Sequence, residues 1–374
     1  MGPLVLVGPA HPLRGGIAHF GERLARALAE RHEVRRVSFS RQYPALLFPG
    51  RTQTEPGEHA CLAPAASALL DALAPWTWRR AARAAAAWQP CGAVLMHWSP
   101  FFAPAYGGFA RALRRAANAR IVLLCHNLHP HEPGPLDRVL SRRLLAAVDG
   151  ALTLSESVAD EVRALAPGLP VRRVAHPIVD VFSSPPSRDE ARAALGLGDE
   201  LVLLFFGFIR PYKGLDVLLR ALPEIRSRHR VRLLVAGEFY EARERYERLL
   251  ARLGIADRVL FLDRYIALGE VPRLFAAADL CVQPYRSASQ SGVSKLAMQF
   301  DCPVVLTDVG GLAEDVAEGV KGYVVPPGDP PAIAAAVDRF CLDRERHDFG
   351  AAIREARARF GWAPLVSALE EMLA

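Results

Sequence analysis

Lysine is nearly absent from this chain: of 46 basic residues, only Lys213, Lys295 and Lys321 are not arginine. A lysine is a compact, flexible point charge, whereas arginine is a planar fork. Each of the three therefore marks a place where the general preference was set aside. Long apolar runs are also missing. No uninterrupted stretch reaches the roughly 18 residues of a membrane-spanning helix, which excludes an integral helical membrane protein. The opening residues, Met1 to Gly8, lack a basic leader and read as a first strand rather than a signal peptide. The six cysteines (Cys61, Cys91, Cys125, Cys281, Cys302, Cys341) are scattered without metal-ligand spacing. That excludes a disulfide scaffold or a cysteine zinc site, and a reduced cytoplasmic protein with inert thiols is expected. There is no Asp-x-Asp pair, no three-glycine dinucleotide fingerprint, no internal repeat and no low-complexity tail.

What is present is length and alternation. A chain of 374 residues exceeds one ordinary core, so two domains are expected. Hydrophobic residues make up 51% and charged residues 23%, a soluble globular balance. Residues 1–180 hold 21 Arg, no Lys and 13 Asp plus Glu, a net +8, against −2 for the remainder. This basic half fits either an anionic partner (a phosphorylated substrate, a membrane surface, a nucleic acid) or a solvated arginine-rich surface.

Strand-like runs at Leu4–Val7, Val34–Phe39, Ala93–Met96, Ile121–Cys125, Ala151–Leu154 and Val171–Ala175 alternate with helical patterns at Ile17–Ala29, Gly108–Ala117 and Val158–Leu165. The alanine-rich stretch Ala65–Trp88 reads as helix broken at Pro75. Phe182–Ser187 interrupts the pattern as a linker. Strands then resume at Leu201–Phe206, Arg232–Ala236, Val259–Leu262, Leu280–Gln283 and Val304–Thr307, with helices between. The pattern predicts an α/β fold of two Rossmann-like parallel-sheet domains facing a cleft. The expected boundaries are 1–180, 181–356 and a closing helix at 357–374.

The chemistry-bearing segments follow strands. Pro12-Leu13-Arg14-Gly15-Gly16-Ile17 places two glycines at the start of a helix, where the backbone can approach a ligand and helical N–H groups point at it; tight packing alone is the competing account. Gly207-Phe208-Ile209-Arg210-Pro211-Tyr212-Lys213-Gly214 places two cations between a strand and a helix. Cations oppose the dipole at a helix start, so an anionic ligand, a phosphate, is the expected resolution. Tyr285 to Lys295 forms a serine-rich loop, with Gln290, Ser291 and Gly292 leading into a helix. Thr307 to Glu314 contains Gly310 and Gly311, and Glu314 fits either a ligand contact or a first-turn helix acid. His126-Asn127-Leu128-His129-Pro130-His131-Glu132 lacks the spacing of a helical metal site, so no metal is expected and one histidine is expected to meet a substrate hydroxyl. Trp76-Thr77-Trp78-Arg79-Arg80-Ala81-Ala82-Arg83 reads either as a membrane-interface helix or as a partly exposed core helix.

Together these residues resemble the retaining GT-B-fold glycosyltransferases of family 4, over nearly the whole chain. The resemblance implies that Gly15 and Gly16 approach the donor and that His126 contacts the donor sugar. It implies that Arg210 and Lys213 neutralise the leaving diphosphate, although Arg210 stands closer to Lys213 than in the usual arrangement. It places Gly310, Gly311 and Glu314 with the donor, and the base near Tyr265 and Ile266. Gly322 to Asp329 is similar to a late motif of the family, and Phe360-Gly361-Trp362 to the entry of a last helix that crosses back onto the first domain. There is one departure. The family usually carries a pair of glutamates in the donor region; counting back from Pro303, those positions are Ala288 and Leu296 here. Ser155 and Glu156, with Arg14 and Asn127, are expected on the acceptor side.

The implied activity is transfer of a hexose-type sugar from UDP- or GDP-sugar to an acceptor hydroxyl with retention, without a metal or other cofactor, in envelope polysaccharide or glycolipid synthesis. Residues 1–180 would be the acceptor side and 181–356 the donor side. The expected partners are a nucleotide sugar, an acceptor sugar, glycolipid or small molecule, and a peripheral contact with anionic membrane at its inner face, with no nucleic acid. The rival readings are a nucleotide-sugar-binding protein that has lost catalysis and a nucleotide-sugar epimerase of the same architecture.

Overall fold

The computed structural model describes residues 2–44, 52–54, 63–130, 134–180 and 182–374. Much of the Tyr43–Gly57 loop, together with Cys61, His131 and Glu132, lies outside them. The chain divides into two compact units, Met1–Val179 with Gly361–Ala374, and Asp180–Phe360.

The first unit is built on a seven-stranded, all-parallel sheet in the order β3-β2-β1-β4-β5-β6-β7. Its elements run β1 (Leu4–Val7), α1 (Gly16–Ala29), β2 (Val34–Arg41), β3 (Ala66–Asp71), α2 (Pro75–Ala86), β4 (Gly92–His97), α3 (Ala103–Ala117), β5 (Arg120–Cys125), α4 (Asp137–Leu145), β6 (Gly150–Thr153), α5 (Glu156–Leu165) and β7 (Val171–Arg173). Strands β1, β4 and β5 are apolar apart from His97 at the end of β4 and Arg120 at the start of β5, because helices cover both faces. The expected helix over Ala65–Trp88 is a correction: Ala66–Asp71 is an edge strand, and the helix starts at Pro75. Alanine favours helix only weakly, and pairing of Arg36 to Arg41 with Ala66 to Asp71 overrides it. Helix α4 carried no readable signal in the sequence. The ion pair of Arg36 with Glu22, at 2.6 Å and buried, fixes α1 to β2, and Glu22 also accepts the His11 N–H at 2.9 Å.

The second unit holds a six-stranded parallel sheet in the order β10-β9-β8-β11-β12-β13. It comprises α6 (Arg188–Ala194), β8 (Leu201–Phe206), α7 (Leu215–Arg228), β9 (Val231–Ala236), α8 (Glu244–Leu253), β10 (Val259–Leu262), α9 (Val271–Ala277), β11 (Leu280–Gln283), α10 (Gly292–Gln299), β12 (Val304–Thr307), β13 (Gly322–Val325), α11 (Pro330–Asp343) and α12 (Phe349–Arg357). The strand order reverses between β8 and β11, so the chain leaves those neighbouring strands in opposite directions. In open parallel sheets, ligands bind beyond the carboxyl ends of the strands at such a point. The last helix, α13 (Ala363–Leu373), belongs to the first unit, where Leu365, Val366 and Leu369 join its core and the Trp362 indole N–H donates to the Ile178 carbonyl at 2.9 Å.

Candidate functional site

In the second unit, three connections meet beyond β8, β11 and β12. The first is Gly207–Gly214. Its opening pairs with the stretch after β9: the Ile209 N–H donates to Glu238 O at 2.9 Å, and the Tyr240 N–H to Ile209 O at 3.0 Å. Pro211–Lys213 then makes a single tight helical turn, and Gly214 at φ +68° releases the chain into α7.

Lys213 folds back so that its ammonium nitrogen lies 2.8 Å from where a Cβ on Gly207 would be. It is 8% exposed and faces the Tyr285 ring at 5.5 Å. Burial foremost, then the nearby Arg210 charge, brings its pKa down to about 8, with Cys281 acting weakly in the opposite direction. The Arg210 guanidinium lies 5.1 Å from the centre of the Tyr240 ring. Tyr240 is itself stacked on Phe208 at 4.6 Å, and Phe208 lies 6.4 Å from the Tyr265 ring. These aromatic contacts, together with Ile266, which is buried, bring the stretch after β10 to the same edge.

The other two lysines have partners. Lys295 is buried, pairs with Asp315 and sits 4.1 Å from the Phe360 ring centre, and Lys321 donates to the Asp315 carbonyl. Among the described residues, neither Lys213 nor Arg210 has a carboxylate within ion-pair distance. Two cations close enough to repel, one of them desolvated, are an arrangement that an anion would relieve.

The serine-rich loop after β11 is stitched to this turn. The Arg286 N–H donates to Tyr212 O at 2.6 Å, its guanidinium to Pro211 O at 2.8 Å, and the same group pairs with Asp216 at 2.8 Å. Asp216 lies in the first turn of α7, where an acid suits the dipole, and its pKa is held low by Arg286 and Arg220 against the opposing effect of burial. Ser291 caps α10, its hydroxyl accepting the Val293 N–H at 3.1 Å. Gly292 and Gln290 are on this loop, with open space beside Gly292.

The turn after β12 closes the arrangement. Gly310, at φ +50°, lies so near the loop that a Cβ would come within 1.8 Å of the Ala288 carbonyl, and the Gly311 N–H donates to Ser289 O at 3.0 Å. The two positions where the family usually has glutamate are thus structural here. Ala288 backs the Gly310 turn, and Leu296 packs on the apolar cluster under α10. Glu314 is exposed in a turn, so the first-turn helix alternative for it is corrected: no helix begins there.

In the first unit, Arg14, Gly15 and Gly16 follow β1, His126 and Asn127 follow β5, and Ser155 and Glu156 follow β6. The Arg14 N–H donates to Gln53 O at 3.0 Å, which pins the loop, and nothing stands within 4 Å of a Cβ on Gly15 or Gly16. His126 is 3% exposed and meets the Phe20 ring edge-on at 4.7 Å. Burial, then the neighbouring His176 and His97, lowers its pKa to about 3, so its imidazole is neutral at physiological pH. Ser155 caps α5 by accepting the Val158 N–H at 3.4 Å, and Glu156 pairs with Arg163 at the surface. Among the described residues, no group of histidine, cysteine or carboxylate side chains could hold a metal ion. No described helix is long and apolar enough to cross a membrane.

Several participants were not singled out from the sequence: Phe208, Tyr240, Arg286, His97 and His176. Phe208 and Arg286 stand inside the quoted motifs but had no assigned partner. Tyr240 follows a different strand, and only sheet order brings it to Arg210.

Residues 14–182 match the family model described as "Glycosyltransferase Family 4", and residues 200–343 match "Glycosyl transferases group 1". A D-inositol 3-phosphate glycosyltransferase of Mycolicibacterium smegmatis is 38% identical over 202 residues, covering 52% of this chain and 45% of that protein. The protein of the same name from Geodermatophilus obscurus is 36% identical over 252 residues, covering 63% and 55%. The chain thus spans about half the length of these relatives. Among solved structures, sucrose-phosphate synthase from Thermosynechococcus elongatus superposes with a TM-score of 0.77 at 21% identity, covering 99% of this chain and 98% of that one. Anabaena HepE in complex with UDP-glucose gives 0.76 at 19% identity, covering 99% of both. At these identities the likeness is one of fold.

Proposed function

The chain belongs to the group 1, family 4 glycosyltransferases of GT-B fold, and from that premise we propose that it transfers a hexose from a nucleotide diphosphate sugar to an acceptor hydroxyl with retention. The observation that carries this reading is the pair Arg210 and Lys213, held without a carboxylate partner among the described residues at the strand-order reversal of the second sheet.

In this reading the donor diphosphate lies against Lys213, Arg210 and the open N-terminus of α10 at Gly292. The bond from the anomeric carbon to the diphosphate oxygen breaks, and the acceptor oxygen bonds to the same face of that carbon. The acceptor proton passes to the departing diphosphate. Cations aimed at charge that develops as a leaving group departs, in a site shielded from water, are worth several kcal/mol. Two such cations supply the neutralisation that a divalent ion would otherwise give, so the proposed reaction needs no metal. Tyr265 and Ile266 border the base, and Gly207, Gln290, Ser291, Gly310 and Gly311 shape the donor wall. Neutral His126 exchanges a hydrogen bond with a sugar hydroxyl, and Gly15 and Gly16 leave room for the donor. Arg14, Asn127, Ser155 and Glu156 border the acceptor.

The relatives' name supports a phosphorylated polyol as acceptor, and the basic residues of the first unit are compatible with one. The test is turnover with a panel of UDP-, GDP- and ADP-sugars, with inositol phosphate among the acceptors, for the wild type and Lys213→Ala. Turnover unchanged in the variant would sink the diphosphate assignment. Nucleotide binding without any turnover would favour the non-catalytic rival.

A further inference from the structure

We propose that the outer face formed by α2, α3 and α4 of the first unit docks on an anionic lipid bilayer. These three helices lie side by side, α3 between the others, on one face of the sheet. They carry nine arginines (Arg79, Arg80 and Arg83 on α2, Arg111, Arg114 and Arg115 on α3, Arg138, Arg142 and Arg143 on α4) against one acid, Asp137. That excess of eight matches the net charge of residues 1–180 as a whole. Arg114 pairs with Asp149. The other eight are exposed, and none has a carboxylate partner among the described residues. Solvated surface arginines elsewhere in the chain are mostly paired, as Arg163 is with Glu156 and Asp160.

Charge alone would fit any polyanion. The apolar residues beside it select a bilayer. Six large hydrophobic residues are exposed among the described residues, and four lie here: Leu73 at 50% and Trp76 at 74% where α2 begins, Leu136 at 65% and Val139 at 48% where α4 begins. In a parallel sheet with crossover helices, every helix begins at the edge where the strands end, so both pairs sit at the same edge of the unit. Packed helix axes stand about 8–10 Å apart, so the two apolar points lie some 20 Å from each other with α3 between them. Trp76 points its ring outward, while its neighbour Trp78 turns inward over Gly108 and donates its indole N–H to Asp71 O at 2.7 Å. An exposed indole at the rim of a cationic face suits the headgroup region, where the ring is half in water and half in lipid. Phosphate on nucleic acid would engage the arginines but leave Trp76, Leu136 and Val139 without a partner.

The experiment is co-sedimentation of the full chain with vesicles of phosphatidylcholine alone and of equimolar phosphatidylcholine and phosphatidylglycerol. Binding is expected only to the mixed vesicles, falling as salt is raised. Arg79→Glu with Arg80→Glu should abolish it, and Trp76→Ala should weaken it several-fold without removing the residual charge-driven fraction. Thermal stabilisation by uridine or guanosine diphosphate is measured on each variant. The variants lie far from Lys213 in the chain and should keep that response, which separates failure of this proposal from failure of the donor assignment. No binding to mixed vesicles at low salt, binding unchanged in the Arg79→Glu, Arg80→Glu variant, or retention on RNA without vesicle binding would overturn the proposal.

Discussion

The Lys213 ammonium stands 2.8 Å from where a Cβ on Gly207 would be, nearer than a real Cβ is approached. The absence of a side chain at 207 gives the lysine, six positions later, room to fold back. Gly207→Ala should displace the ammonium and strain a backbone at φ +100°. The expected cost is about 1–3 kcal/mol of stability, with at least a tenfold loss of nucleotide diphosphate affinity. Thermal unfolding and calorimetric titration would read the two effects separately.

Lys213 should make donor binding pH-dependent. Its pKa is lowered to about 8, so the free protein carries the ammonium below that pH and loses it above. A diphosphate favours the charged form and raises the pKa, so binding takes up a proton near and above pH 8. Affinity should be flat below pH 7 and fall about tenfold for each unit above 8 until the pKa of the complex is passed. In Lys213→Met, affinity should be low and level over the same window. The opposite slope would contradict the assignment.

Tyr240 should act on the donor through Arg210. A cation over a phenol ring contributes about 0.5–1 kcal/mol at a half-exposed site, and the pair here stands at 5.1 Å. Tyr240→Phe keeps the ring and should leave donor KM nearly unchanged. Tyr240→Leu should raise KM a few-fold with little change in kcat.

Arg286 holds the cationic turn in place through the Pro211 carbonyl and Asp216. Arg286→Ala removes both contacts and leaves Asp216 with Arg220. A stability loss of about 1–3 kcal/mol is expected, together with weaker diphosphate binding. Arg286→Lys should rescue neither fully, because an ammonium cannot span the two acceptors as a fork does. Denaturant titration and nucleotide binding on both variants provide the check.

His126 is neutral, with a pKa lowered to about 3 by burial and by its histidine neighbours. The pH dependence of turnover between 5 and 8 should therefore show no inflection from this residue. His126→Asn, which keeps donor and acceptor atoms, should retain more activity than His126→Ala. A wild-type inflection near pH 6.5 that disappears in His126→Asn would show that the imidazole titrates after all.

Much of the fold was readable residue by residue. Leu4 to Val7 and Leu201 to Phe206 are wholly apolar runs of the kind a buried parallel strand accommodates. Each glycine turn that follows announces a strand end. The stretch Ala66–Asp71 misled because alanine pattern and propensity are local, whereas an edge strand exists only if a neighbour such as β2 offers its backbone. Helix α4 was missed because the segment before it is polar and proline-rich, with no cap to mark its start.

The sequence by itself determined that Lys213 is exceptional and that it stands with Arg210 between a strand and a helix, where cations oppose the helix dipole. It also marked Ala288 and Leu296 as a departure from the family. It was the tertiary structure that decided how each lysine is partnered. The Asp315 carboxylate pairs with Lys295 and the Asp315 carbonyl accepts from Lys321, neither reaches Lys213, and Arg286 takes up Asp216, the acid nearest the cationic turn in sequence. It likewise decided that Tyr240 lies beside Arg210 and that Gly310 closes on Ala288. The physical reason is the strand order. Covalent neighbours make the turn, but the strand-order reversal between β8 and β11 chooses which loops surround it, and that choice rests on pairings between residues dozens of positions apart.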